Sequence, residues 1–106
     1  MHSNKNQLGE IKMIKHIVCF KLKEGEDVHK AAEVLRSMKG NVPTALEIEV
    51  GEDFLKSERS YDIILQVTLK DKASLDEYQN DPYHCQVVKK HMHAVRLSSV
   101  AVDYEI

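Results

Sequence analysis

Two hydrophobic periods take turns along the chain. Over residues 14–23, Ile14, His16, Val18, Phe20 and Leu22 fall on one side of a period-two pattern, which predicts a strand. The reverse side, with Lys15, Ile17, Cys19 and Lys21, is also partly apolar, so this strand needs cover on both faces. A charged turn around Gly25 follows. Val28, Ala31, Ala32, Leu35 and Met38 then recur at helical spacing, with Gly40 placed to stop the helix and Pro43 restricting the chain beyond it. Leu46, Ile48 and Val50 alternate with Ala45, Glu47 and Glu49, a half-buried strand. A polar connection over residues 51–59 carries Phe54 and Leu55. Tyr61, Ile63, Leu65, Val67 and Leu69 make the longest alternating set, with Ile64 on its reverse side. Asp71 is placed to cap a short helix containing Leu75 and Tyr78. Asp81–Pro82 opens another, running through His84, Val88 and Met92. Residues 98–106 form the last strand, with Val100, Val102, Tyr104 and Ile106 sharing a face.

The order strand–helix–strand–strand–helix–strand predicts an α+β fold, a ferredoxin-like four-stranded antiparallel sheet with helices on one face. The helices leave the other sheet face bare, and an apolar face of that size calls for a partner. A symmetric homodimer with the two sheets face to face meets that need. At 106 residues the chain is one domain. Residues 1–12 are mostly polar and aperiodic and are read as a flexible tail or leader, with the domain spanning residues 13–106.

Composition removes several function classes. Fifteen basic against seventeen acidic side chains give a net charge of −2, which argues against a nucleic-acid partner. No apolar run is long enough to span a membrane, so no membrane partner is expected. Cys19 and Cys85 have no redox or metal spacing, and the simplest location is cytoplasmic. His91 and His93, two apart on a helix, diverge and have no carboxylate or cysteine beside them at a zinc spacing. No metal, haem or other cofactor is called for.

Several short segments, in this order and spacing, carry a resemblance. Met13-Ile14-Lys15-His16-Ile17-Val18-Cys19-Phe20-Lys21 opens it. Ser60-Tyr61-Asp62-Ile63 and Asp81-Pro82-Tyr83-His84 follow, and Val102-Asp103-Tyr104-Glu105 closes it. Together they resemble the stress-responsive A/B barrel family, Dabb, over residues 13–106. The resemblance implies a ferredoxin-like homodimer that closes a dimeric α/β barrel. Many members of that family have no known activity. One plant member is a polyketide cyclase that closes its substrate by aldol condensation in a cavity between helices and sheet. Cofactor-independent monooxygenases share the dimeric barrel by fold only.

Carried over residue by residue, the resemblance implies three site residues: His84 as catalytic base, Tyr78 as a hydroxyl facing substrate, and His16 as a pocket histidine. An aldol closure needs a base near neutral pKa and a donor to the developing oxyanion, which imidazole and phenol supply. Ile63 stands where the cyclase has a further histidine, and its branched side chain is expected to narrow any cavity. Each residue also has a structural role open to it. His84 can fix the helix start after Asp81, His16 can be a satisfied core histidine, and Tyr78 can cover the core with its ring. If the three converge, the cleft suits a small aromatic, enol-like or carbonyl-containing ligand. Cys19 lies on the opposite strand face from His16, which argues against a dyad between them.

Overall fold

The computed structural model describes residues 12–106. The leader expected over residues 1–12 therefore lies, apart from Lys12, outside the described residues. The elements run β1 (Ile14–Leu22), α1 (Val28–Arg36), β2 (Glu47–Glu52), β3 (Ile63–Leu69) and α2 (Lys72–Gln79). A π-helical segment, His84–Lys89, then leads directly into α3 (Lys90–Val95), and β4 (Arg96–Glu105) ends the chain. The strands form one sheet in the order β2-β3-β1-β4, with every pair antiparallel.

Local signals explain the element ends. Asp27 and Asp71 accept the amides of Lys30 and Ser74 at 2.9 and 2.8 Å, satisfying donors that the first turns of α1 and α2 leave free. Gly40 adopts a positive φ of 84°, which a Cβ would penalise, and turns the chain towards β2. Helix α1 stops at Arg36, so Met38 sits in the turn beyond it and is nonetheless fully buried. Asp62, from the motif around Tyr61, accepts the Leu22 amide at 2.7 Å and donates its own amide to the Phe20 carbonyl. It clips β1 to the entrance of β3, where the β1–β4 pairing shifts register.

The core lies between one sheet face and the helices. Ile14, Phe20, Ile63, Leu65, Val67 and Leu69 meet Ala31, Ala32, Leu35, Tyr78, Val88 and Met92 there. Register places His16 opposite Val67 on one side and Asp103 on the other, all on the helix side. The reverse face carries Ile17, Cys19, Ile64, Val100, Val102 and Tyr104, framed by Lys15, Lys21, Glu47 and Glu49. Val100, Val102 and Tyr104 are largely exposed.

One expectation is corrected. The α/β barrel implied by the family resemblance is absent: the sheet is open and not closed into a barrel. Its two edges, β2 and β4, are at opposite ends of the strand order and do not pair. Four strands give too short a circumference to close around a filled interior, which takes about eight.

Burial separates two leucines sharply. Leu69→Ala, at a fully buried position, is expected to lower unfolding free energy by about 2–5 kcal/mol. Leu97→Ala, at an exposed position, should change it by less than about 0.5 kcal/mol. Urea unfolding followed by circular dichroism measures both.

Candidate functional site

The structure brings His16, Tyr78 and His84 together. Tyr78, near the end of α2, has no exposed surface. The His84 ring stacks on it with centroids 4.3 Å apart, and the His16 ring meets it edge-on at 5.5 Å. His16 and His84 retain only 6% and 7% exposure, so each must be hydrogen-bonded to be tolerated.

The partners fix the chemistry of each ring. His16 Nδ1 bonds Asp103 Oδ1 across the β1–β4 ladder. A carboxylate only accepts, so Nδ1 supplies the proton of that bond. His84 Nδ1 lies 3.0 Å from the Tyr78 carbonyl oxygen and donates to it. Nε2 is thereby left with its lone pair, and among the described residues no hydrogen bond engages it. Burial drives the His84 pKa down to about 4, against an opposing contribution from the Tyr78 carbonyl; Lys89 and His16 add to the lowering. His84 is therefore a neutral imidazole at pH 7.

The Tyr78 hydroxyl points elsewhere. It donates to Met38 Sδ at 3.6 Å, inside the core. Burial, with Asp81 nearby, raises its pKa far above the usual phenol range. Tyr78 thus presents its ring to both histidines and its carbonyl to one of them.

The end of α2 and the π-helical segment are tied together by hydrogen bonds. The Tyr78 carbonyl also accepts the Asp81 amide, and Asp81 Oδ1 accepts the His84 amide at 3.0 Å. The Gln79 carbonyl takes Cys85 Sγ and Lys89 Nζ, each at 3.2 Å. These bonds satisfy carbonyls that the last turn of α2 leaves open. The wider π turn has a second effect. In an α-helix a residue five positions on lies about 140° around the axis, whereas i→i+5 bonding brings it back towards the same face. Lys89 consequently lines the same space as His84 and Val88.

That space is a cleft of about 240 Å³ between β1, β4 and the helices. Val18, Phe20, Leu35, Leu65, Val88 and Met92 supply its apolar wall. His16, Tyr78 and His84 lie along it, and Lys89, His93 and Arg96 supply the remaining charge-bearing groups. The cleft exists because β4 is lined with small groups on this side. Ser99 stands opposite Phe20 and Ala101 opposite Val18. Ile63 belongs to the packed core and is not part of this wall.

Several contributors escaped the sequence reading. Asp103 was legible in principle: alternation with Val102 and Tyr104 puts it on the His16 side once β1 and β4 are paired. Ser99 and Ala101 follow from the same alternation. Lys89 could not be placed by an α-helical period, because the helix is locally π. Among the described residues, no group of three or more His, Cys, Asp or Glu is arranged to hold a metal ion. Among them, too, no helix is long and apolar enough to cross a membrane.

The chain belongs to the stress responsive A/B barrel domain family, Dabb, whose pattern matches residues 14–106. No curated protein matches it. Among solved structures it is similar to a dimeric protein of unknown function with a ferredoxin-like fold from Bacteroides fragilis. Identity is 25%, over 89% of this chain and 96% of that one, with a TM-score of 0.77. A dimeric ferredoxin-like protein of unknown function from Thermobifida fusca aligns over the whole of both chains at 20% identity and a TM-score of 0.78. The hydroxynitrile lyase of Passiflora edulis aligns over 90% of this chain and 94% of that one, at 15% identity and a TM-score of 0.78, a likeness of fold alone.

The pKa of His84 makes stability depend on pH. The unfolded chain takes up a proton on this ring below about pH 6.5, while the folded chain resists until about pH 4. The stabilisation is present above pH 6.5 and is lost as pH falls from 6.5 to 4. At 1.36 kcal/mol per unit the loss is at most about 3 kcal/mol. Water reaching the ring through the cleft reduces it to about 1–2 kcal/mol. His84→Asn, which keeps a donor for the Tyr78 carbonyl, should flatten this limb relative to wild type in urea titrations at fixed pH values.

Proposed function

We propose that this Dabb protein is a homodimer whose helix-side cleft binds a small organic molecule, with His84 Nε2 accepting a hydrogen bond from it. One observation carries the reading: a neutral, fixed imidazole lines a half-apolar cleft, and its second nitrogen has no partner among the described residues. A volume of about 240 Å³ is below the ~300–1,000 Å³ of drug-sized sites, so it favours a one-ring aromatic or a short carbonyl compound. The homodimer is supported by the bare apolar face of Ile17, Ile64, Val100 and Val102, and by the dimeric state of the Bacteroides fragilis relative. The two unpaired cysteines are in keeping with the cytoplasm.

A second reading is proton transfer on an activated carbonyl compound, as in a cyclase or lyase, with His84 as base and His16 and Tyr78 beside it. The free Nε2 favours it. Two observations rank it below binding. A pKa near 4 makes His84 a weak base at neutral pH, and the Tyr78 hydroxyl is engaged by Met38 instead of facing the cleft.

The binding reading is tested by titrating small phenols and β-keto esters into ¹⁵N-labelled protein. Shifts should cluster at His84, Val88 and Met92, weaken at least about tenfold in His84→Ala, and disappear in Ala101→Leu, which fills the cleft without touching His84. Absence of any such cluster at millimolar ligand would reject the binding site. Turnover of the β-keto esters lost in His84→Ala would instead promote the second reading. Light scattering should give twice the chain mass of 12.2 kDa, and Val102→Glu should halve it; a monomeric wild type would refute the homodimer.

A further inference from the structure

The charge of the cleft is one-sided. Its wall includes the cations Lys89 and Arg96 and no aspartate or glutamate. This is not a general feature of the surface, because acidic side chains outnumber basic ones in the chain as a whole. Two carboxylates touch its lining residues: Asp81 accepts the His84 amide at 3.0 Å, and Asp103 is held by His16 Nδ1. Asp103 borders a different surface depression, together with Ile14, Lys72 and Leu75.

Arg96 stands out among the cations. It is half-buried at the start of β4, yet its guanidinium has neither an ion pair nor a hydrogen bond to any described residue. Arg36, at the end of α1, by contrast binds Glu33 at 2.7 Å and the Val50 carbonyl at 3.2 Å. Lys89 spends one donor on the Gln79 carbonyl and has two left. The π turn is what aims it into the cleft. A planar guanidinium without a partner, lining the same cleft as an ammonium and an apolar wall, matches the oxygen pair of a carboxylate.

We propose that the ligand of this cleft is an organic anion, a small hydroxy- or keto-carboxylate. Its carboxylate sits on Arg96 and Lys89 at the mouth, its apolar body lies against Phe20 and Met92, and a hydroxyl or enol proton is donated to His84 Nε2. The proposal rests on the reading that the cleft binds a small molecule, and it names the class. A neutral compound of the same shape would leave Arg96 unsatisfied. A cation would meet like charge.

Matched probes separate the two claims. 4-Hydroxybenzoate and its neutral amide have the same ring and the same phenol, and differ in charge. Calorimetry or NMR titration of the full-length protein at pH 7.5 should give the acid an advantage of at least about tenfold over the amide. Raising salt from 0.05 to 0.5 M should weaken the acid alone. Arg96→Gln should weaken the acid by at least about tenfold and remove its advantage over the amide, and Arg96→Lys should restore part of it. An unchanged circular dichroism spectrum checks that each variant folds. Equal affinity for acid and amide, or an advantage that survives Arg96→Gln, would overturn the anion proposal and leave the binding reading standing. Binding of neither probe at the cleft would overturn both.

Discussion

The Tyr78 carbonyl organises the site. It accepts two protons, from the Asp81 amide and from His84 Nδ1. The first turns the chain out of α2 and into the next helix. The second chooses the tautomer of His84 and directs Nε2 towards the cleft. Because the Tyr78 ring is packed between both histidines and sealed in the core, the carbonyl has little freedom to move. Without that acceptor the buried Nδ1 proton would be left unpaired, a cost of about 1–3 kcal/mol. Position and protonation of the site are therefore consequences of packing.

Fold and site share another economy. The π-helical segment brings Cys85 and Lys89 back onto one carbonyl at the end of α2, that of Gln79. The same geometry places Lys89 beside His84. On the opposite wall, Ser99 and Ala101 leave β4 thinly covered, so the sheet and the helices separate there instead of closing into core. The cleft is the gap between a well-packed half of the sheet, over β3, and an under-filled half, over β4.

Much of this was legible in the sequence. Period-two runs at Ile14 and Ile63, the Asp71 cap and the Asp81–Pro82 start depend on neighbouring residues only, and they place β1, β3, α2 and the start of the helical segment after it. The convergence of His16, Tyr78 and His84 was expected from the family likeness. What escaped depends on distant residues. The direction of the Tyr78 hydroxyl is set by Met38, forty positions earlier, which is buried from a turn and not from the helix its spacing suggested. The role of Asp103 requires the β1–β4 register. The expected narrowing by Ile63 does not occur at this cleft because Ile63, opposite Phe20 and Glu52, packs in the core and does not line the cleft wall. Closure into a barrel was carried by the family likeness, and the single sheet, with β2 and β4 at opposite edges, remains open.

The central claim is that His84 is a neutral imidazole whose Nε2 is open to the cleft, held there by the Tyr78 carbonyl. Long-range ¹H–¹⁵N NMR of the histidine rings tests it most directly. At pH 7 the account predicts a pyrrole-type Nδ1 and a pyridine-type Nε2 for His84, with only the Nε2 resonance moving when 4-hydroxybenzoate is added. A protonated ring at pH 7, or the opposite tautomer with hydrogen on Nε2, would contradict it.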